Sequence, residues 1–122
     1  MNVLILGSGG REHCFAELIS KSKHCDKLFV APGNSGTSLM AQNLDFSPID
    51  FDLVKGAITK HNIQLVVVGP EDPLVSGIHD FIVSDPVLKG VKVIGPKQQA
   101  AQLEGSKDFA KNFLNRHNIP TA

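Results

Sequence analysis

The first residues able to do chemistry are the glycines and the arginine of Gly7-Ser8-Gly9-Gly10-Arg11-Glu12-His13, which follow the apolar run Val3–Leu6. Glycines let a ligand come close to the backbone and leave amides free to point at it. A helix starting at about Arg11 turns its positive end toward the same spot. The segment therefore reads as an anion site suited to phosphate, and Arg11 can add a bidentate contact. A dinucleotide fingerprint would need a third glycine where Glu12 stands. It would also need an acid at the end of the second strand, where the chain reads Val30-Ala31-Pro32-Gly33. Both departures weigh against a dinucleotide.

Further candidates follow the later strand-like runs. Ala31-Pro32-Gly33-Asn34-Ser35-Gly36 reads equally as a turn or as a second ligand loop. Gly69-Pro70-Glu71-Asp72-Pro73-Leu74 holds two carboxylates between prolines. They can sit in the first turn of a helix, where they complement its dipole. Alternatively, Glu71 can accept hydrogen bonds from sugar hydroxyls. A phosphate loop beside such a carboxylate suits a sugar phosphate. Lys107 and Lys111 share a helix face and, as residues alone, read as a solvated face. The histidines at 13, 24, 61, 79 and 117 show no metal-ligand spacing. Cys14 beside the first helix's apolar stripe reads as a packed thiol.

These residues need elements to hold them. Apolar runs recur at Val3–Leu6, Leu28–Val30, Leu44–Phe46, Leu65–Val68 and Val91–Ile94. They are continuous rather than alternating, as in strands covered on both faces. Helix spacing lies between most of them: Phe15, Leu18 and Ile19; Val54, Ala57 and Ile58; Leu74, Ile78, Phe81 and Ile82. The alternation predicts a parallel sheet wound on both sides. With strand order 3-2-1-4-5, the glycine loop and the Glu71 loop lie side by side at the switch point. Asp50 and Ser106 can cap helices. Asn62 and Asn118 suit the left-handed position after a helix. A further strand is expected after Pro120-Thr121-Ala122, so the chain reads as a fragment.

Bulk properties agree with one soluble domain. The chain has 122 residues, 42% hydrophobic and 20% charged, with 12 basic and 12 acidic side chains. A balanced charge argues against nucleic acid or an anionic membrane as partner. The start lacks the features of a signal peptide, and no run is long enough to span a membrane. Two cysteines without a CxxC pair suit reduced thiols and a cytoplasmic location.

Taken in order, Gly7-Ser8-Gly9-Gly10-Arg11-Glu12-His13, Pro32-Gly33-Asn34, Val68-Gly69-Pro70-Glu71 with Pro73-Leu74-Val75, Gly95-Pro96, and Glu104-Gly105-Ser106-Lys107 through Ile119-Pro120-Thr121 resemble the opening of the glycinamide ribonucleotide synthetase family. The resemblance implies a Rossmann-like pre-ATP-grasp α/β domain, a five-stranded parallel sheet with helices on both faces, over residues 1–104. It implies the start of a truncated ATP-grasp domain over residues 105–122. The family joins glycine to 5-phosphoribosylamine with hydrolysis of ATP to ADP and phosphate, in de novo purine biosynthesis. The resemblance assigns Gly9, Gly10, Arg11, Pro32, Gly33, Asn34 and Glu71 to the phosphoribosylamine side, and Lys107 to the nucleotide. It assigns no catalytic residue or metal ligand to this stretch. ATP with Mg2+ or Mn2+ would bind mainly outside it, and the fragment alone is expected to be inactive. Phosphoribosylamine, glycine and ATP are the implied partners, with no nucleic acid and no membrane. Other ATP-grasp ligases, such as a formyl-phosphate-type transformylase or a biotin carboxylase, share the front domain but fit these phrases less well. A stand-alone sensing domain would end after a complete sheet.

Overall fold

A continuous apolar strand is stable only if both of its faces are covered, and the computed structural model of the chain shows how this is done. It describes residues 1–121; Ala122, the last residue of the expected 105–122 segment, lies outside the described residues. The strands are β1 (Asn2–Gly7), β2 (Lys27–Pro32), β3 (Gln42–Asn43), β4 (Leu65–Val68) and β5 (Lys92–Ile94). The helices are α1 (Gly10–Ser20), α2 (Phe51–Lys60), α3 (Glu71–Val75), α4 (Ile78–Ser84), α5 (Gln98–Gly105) and α6 (Lys107–Arg116). All pairings are parallel, in the order β3-β2-β1-β4-β5. Leu4 sits opposite Phe29 on one side and Val66 on the other. The expected α/β sheet and its strand order are both present.

Successive residues of each strand point to opposite faces, and both faces are apolar. Leu4, Leu6, Phe29, Ala31, Val66 and Val68 pack beneath α2, α3, α4 and Ala101 of α5. Val3, Ile5, Leu28, Val30 and Val67 pack beneath Ala16, Phe15 and Ile19 of α1. Each fully buried aliphatic side chain contributes about 1.5–3 kcal/mol relative to exposure, so β1, buried from Val3 to Gly7, anchors the sheet.

Local signals set the helix ends. The Leu53 amide donates to Asp50 Oδ1 at 3.3 Å and starts α2. The Phe109 amide donates to Ser106 Oγ at 3.2 Å and starts α6. Asn62 and Asn118 close α2 and α6 with φ of 51° and 54°.

Four expectations about local structure need correction. The third strand pairs at Gln42–Asn43 rather than Leu44–Phe46. Leu44 still donates its amide to the Val30 carbonyl at 2.8 Å, and Leu44 and Phe46 pack on the core. Their apolarity reports burial, not pairing. The fifth strand begins one residue later than expected, because the Val91 amide turns back to the Leu88 carbonyl. The helical stretch Leu74–Ile82 is two helices, broken at Gly77, whose φ is +95°. On α1, Leu18 is 70% exposed and Cys14 is exposed as well. Residues 14 and 18 lie on one outward face, while Glu12, Ala16 and Ile19 turn toward the sheet.

Candidate functional site

Parallel sheets bind ligands beyond the carboxyl ends of their strands, where the strand order reverses. Here that place lies between the ends of β1 and β4. Gly7 ends β1 with φ of +132° and swings the chain into the loop before α1. Gly9 is extended and serves as the residue before the helix. Glu12, three residues on, accepts the Gly9 amide on Oε2 at 2.7 Å. The amides of Gly10 and Arg11 come next, at the positive end of an eleven-residue helix. Among the described residues they have no acceptor within the chain.

The wall opposite comes from β4. Gly69 donates its amide to the Leu6 carbonyl at 3.1 Å, and its own carbonyl accepts from Arg11 Nη1 at 2.6 Å. The guanidinium is thus anchored across the sheet end, with its other donors unengaged among the described residues. Pro70 then leads into α3, which opens with the exposed carboxylates Glu71 and Asp72. Gly9, Gly10, Arg11, Glu12, Pro70 and Glu71 together line one cleft of about 230 Å³. Four of the expected site residues, Gly9, Gly10, Arg11 and Glu71, therefore meet. A wider hollow of about 450 Å³ is lined by residues 83–86 and 88–91. It opens at the amino end of β5, on the rim away from the glycine loop.

Pro32 ends β2, and Gly33 and Asn34 follow it; these three do not line the cleft but hold the adjoining loop against it. The Gly33 amide donates to the Gly7 carbonyl at 3.0 Å. Asn34 Nδ2 donates to the Ser8 carbonyl at 3.0 Å, and Asn34 Oδ1 accepts the amides of Gly36 and Thr37, each at 2.9 Å. Behind it, Thr37 is fully buried; its Oγ donates to Asn43 Oδ1 at 2.7 Å, and Asn43 Nδ2 donates to the Asn34 carbonyl at 2.8 Å. Asn34 is therefore a brace between the two loops. Lys107 lies elsewhere: exposed in the first turn of α6, which packs on α5, with no hydrogen bond to the cleft among the described residues.

Sequence reasoning missed four participants. Glu12 counted only as a missing glycine, although a glutamate three positions after Gly9 is a capping signature. His13, half-buried, stands against the second loop: a side-chain carbon at Gly36 would lie 2.9 Å from its Cε1. Thr37 and Asn43 carried no local signal, since their bond joins a turn to a strand.

The thiols stand apart from this chemistry. Cys14 is exposed on the outer face of α1. Burial pushes the Cys25 thiol up, against the lowering influence of the N-terminal ammonium, and so disfavours its nucleophilic form. No group of three metal-ligating side chains stands together among the described residues, and none of their helices is long and apolar enough to cross a membrane.

A family model described as "Phosphoribosylglycinamide synthetase, N domain" matches residues 1–104. A phosphoribosylamine–glycine ligase of Rhodopirellula baltica is 48% identical over 121 residues, covering 99% of this chain and 27% of the relative. One of Haemophilus influenzae is 51% identical over 125 residues, covering 100% of this chain and 28% of the relative. A bifunctional purine biosynthetic protein of Pichia angusta is 44% identical and covers 100% of this chain and 16% of its own length. The crystal structure of a phosphoribosylamine–glycine ligase from Thermotoga maritima superposes with a TM-score of 0.69 at 29% identity, covering 100% of this chain and 26% of that one. The chain thus spans little more than a quarter of the single-function ligases it matches.

Proposed function

The chain belongs to the phosphoribosylglycinamide synthetase N-domain family, and from that premise we propose that it is the phosphoribosylamine-holding front of a ligase that joins glycine to 5-phosphoribosylamine. Residues 1–104 form the holding domain, and residues from 105 onward begin the ATP-grasp domain. One observation carries the reading. The free amides of Gly10 and Arg11 face an exposed Glu71 carboxylate across a single cleft at the strand-order reversal. The amides and the Arg11 guanidinium suit a phosphate. Glu71 suits ribose hydroxyls as an acceptor. Gly33 and Asn34 brace the glycine loop from the β2 side, through the Gly7 and Ser8 carbonyls.

In the ligase reaction the γ-phosphoryl group of ATP passes to the glycine carboxylate and ADP leaves. The amine of phosphoribosylamine attacks the acyl phosphate carbon, the C–N bond forms and phosphate departs. This chain's contribution is to hold the sugar phosphate so that its amine is presented to that carbon. Lys107 reaches the ATP phosphates. Magnesium neutralises phosphate charge when bound. By the family resemblance, its carboxylate ligands would come from the length of the relatives that this chain does not span. The stretch alone is inactive.

A dinucleotide occupant is the weaker reading. Glu12 fills the place of the third glycine, and no acid follows β2. The test is ADP release by the full-length protein, with glycine and with phosphoribosylamine generated in situ. Release that requires both substrates supports the proposal, and release indifferent to phosphoribosylamine contradicts it.

A further inference from the structure

We infer that Glu12 is the positioning residue of the cleft: its carboxylate, lodged between the ends of β1 and β4, fixes the Gly9 amide and thereby the direction of the ligand-facing amides of Gly10 and Arg11. The inference rests on the sugar-phosphate role proposed above and adds a residue to it.

Glu12 is 5% exposed, an uncommon state for a carboxylate. Its Oε2 accepts the Gly9 amide at 2.7 Å. The space it fills is left open by three glycines from two strand ends. A side-chain carbon at Gly7 would lie 2.6 Å from Glu12 Cδ, and one at Gly9 would lie 3.1 Å from Oε2. One at Gly69 would overlap Oε1. Those bare positions and the carboxylate are complementary. A loop of glycines has many backbone states, whereas a short amide–carboxylate bond selects one of them. Selection matters because donors serve an anion only when they already point at its oxygens. Glu12 acts through the loop rather than as a phosphate ligand, since its own charge would repel that group.

The test uses the full-length protein and four variants: Glu12→Ala, Glu12→Gln, Gly69→Ala, and Glu12→Ala with Gly69→Ala. The readouts are KM for phosphoribosylamine, KM for ATP, kcat, and the calorimetric affinity of ribose 5-phosphate as an unreactive probe. Glu12→Ala is expected to raise KM for phosphoribosylamine, and to weaken ribose 5-phosphate, by about tenfold, the loss of one charge-assisted bond. KM for ATP stays within about twofold, because that site is separate. Glu12→Gln recovers most of the loss, because its amide oxygen still accepts from Gly9. Gly69→Ala alone reproduces the defect by displacing the carboxylate, and adds nothing once Glu12 is alanine. If Glu12→Ala does not fold, Glu12→Gln and Gly69→Ala carry the comparison. Unchanged ribose 5-phosphate affinity in a folded Glu12→Ala overturns the inference. So does Glu12→Gln as impaired as alanine, or an additive Gly69→Ala. A wild-type protein that binds ribose 5-phosphate without ligase turnover refutes the proposed reaction and leaves this inference to the affinity readout. Failure of the wild-type protein to bind ribose 5-phosphate overturns the inference itself.

Discussion

Arg11 and Gly69 are 58 residues apart in the chain, yet Arg11 Nη1 donates to the Gly69 carbonyl at 2.6 Å. The bond joins the first turn of α1 to the end of β4, across the point where the strand order reverses. It places a guanidinium beside two helix amides, and among the described residues that guanidinium forms no ion pair. Fold and site are thus linked by one contact: the sheet order brings the strand ends together, and the arginine reports that closeness.

The carboxylate opposite should matter for the sugar rather than for folding. Glu71 is exposed in the first turn of α3. Replacement by Ala in the full-length protein is expected to raise KM for phosphoribosylamine about tenfold, the loss of a hydrogen bond to a charged acceptor. The melting temperature is expected to stay nearly constant. Steady-state kinetics and a thermal melt check both statements.

Gly33 is a test of the loop geometry. Its φ is +74°, and a side-chain carbon there would run into Asn43 and Thr37. Gly33→Ala is expected to destabilise the fold by about 1–3 kcal/mol, from a disfavoured backbone state and from crowding of the Asn34–Thr37–Asn43 bonds. Chemical denaturation with the midpoint shifted down confirms it.

Acid should weaken the rim away from the cleft. Lys55 Nζ lies 2.6 Å from Asp85 Oδ2, and the Asp85 side chain is 15% exposed. The Lys55 contact, and then the Val87 amide, hold the Asp85 carboxyl below its ordinary value. A depressed folded-state pKa gives stability that is present above the unfolded value of about 3.9 and is lost as pH falls through the folded value. Lys55→Met keeps the stem and removes the charge. Melting temperatures from about pH 5 down to pH 2 should fall less steeply in that variant than in the wild type.

Lys107 should report on the nucleotide alone. It is solvent-exposed and joined by no hydrogen bond to the glycine cleft among the described residues. Lys107→Ala in the full-length protein is expected to raise KM for ATP about tenfold, as the loss of a charged phosphate contact, and to leave KM for phosphoribosylamine unchanged. Parallel titrations of the two substrates separate these effects.

Much of the fold was legible because its determinants are local. Apolar runs marked the strands, Asp50 and Ser106 marked helix starts, and Asn62 and Asn118 marked helix ends with positive φ. The cleft was legible in outline because ligand residues of such sheets follow the strands. What escaped depends on partners distant in the chain. Glu12 has meaning only beside Gly69, which the fold delivers from another strand. The rotation of α1 follows from Glu12 and Ala16 turning inward, which a stripe drawn through Phe15 and Leu18 misses. The register of β3 depends on Thr37 holding Asn43, not on the apolar residues after it.

The central claim is that the glycine loop holds the sugar phosphate, and Arg11→Ala in the full-length protein tests it most directly through the two substrate KM values. KM for phosphoribosylamine is expected to rise about tenfold or more, as befits a charged contact, with KM for ATP unchanged and the protein folded. A folded Arg11→Ala with wild-type KM for phosphoribosylamine would contradict the account, because the phosphate would then be held somewhere else.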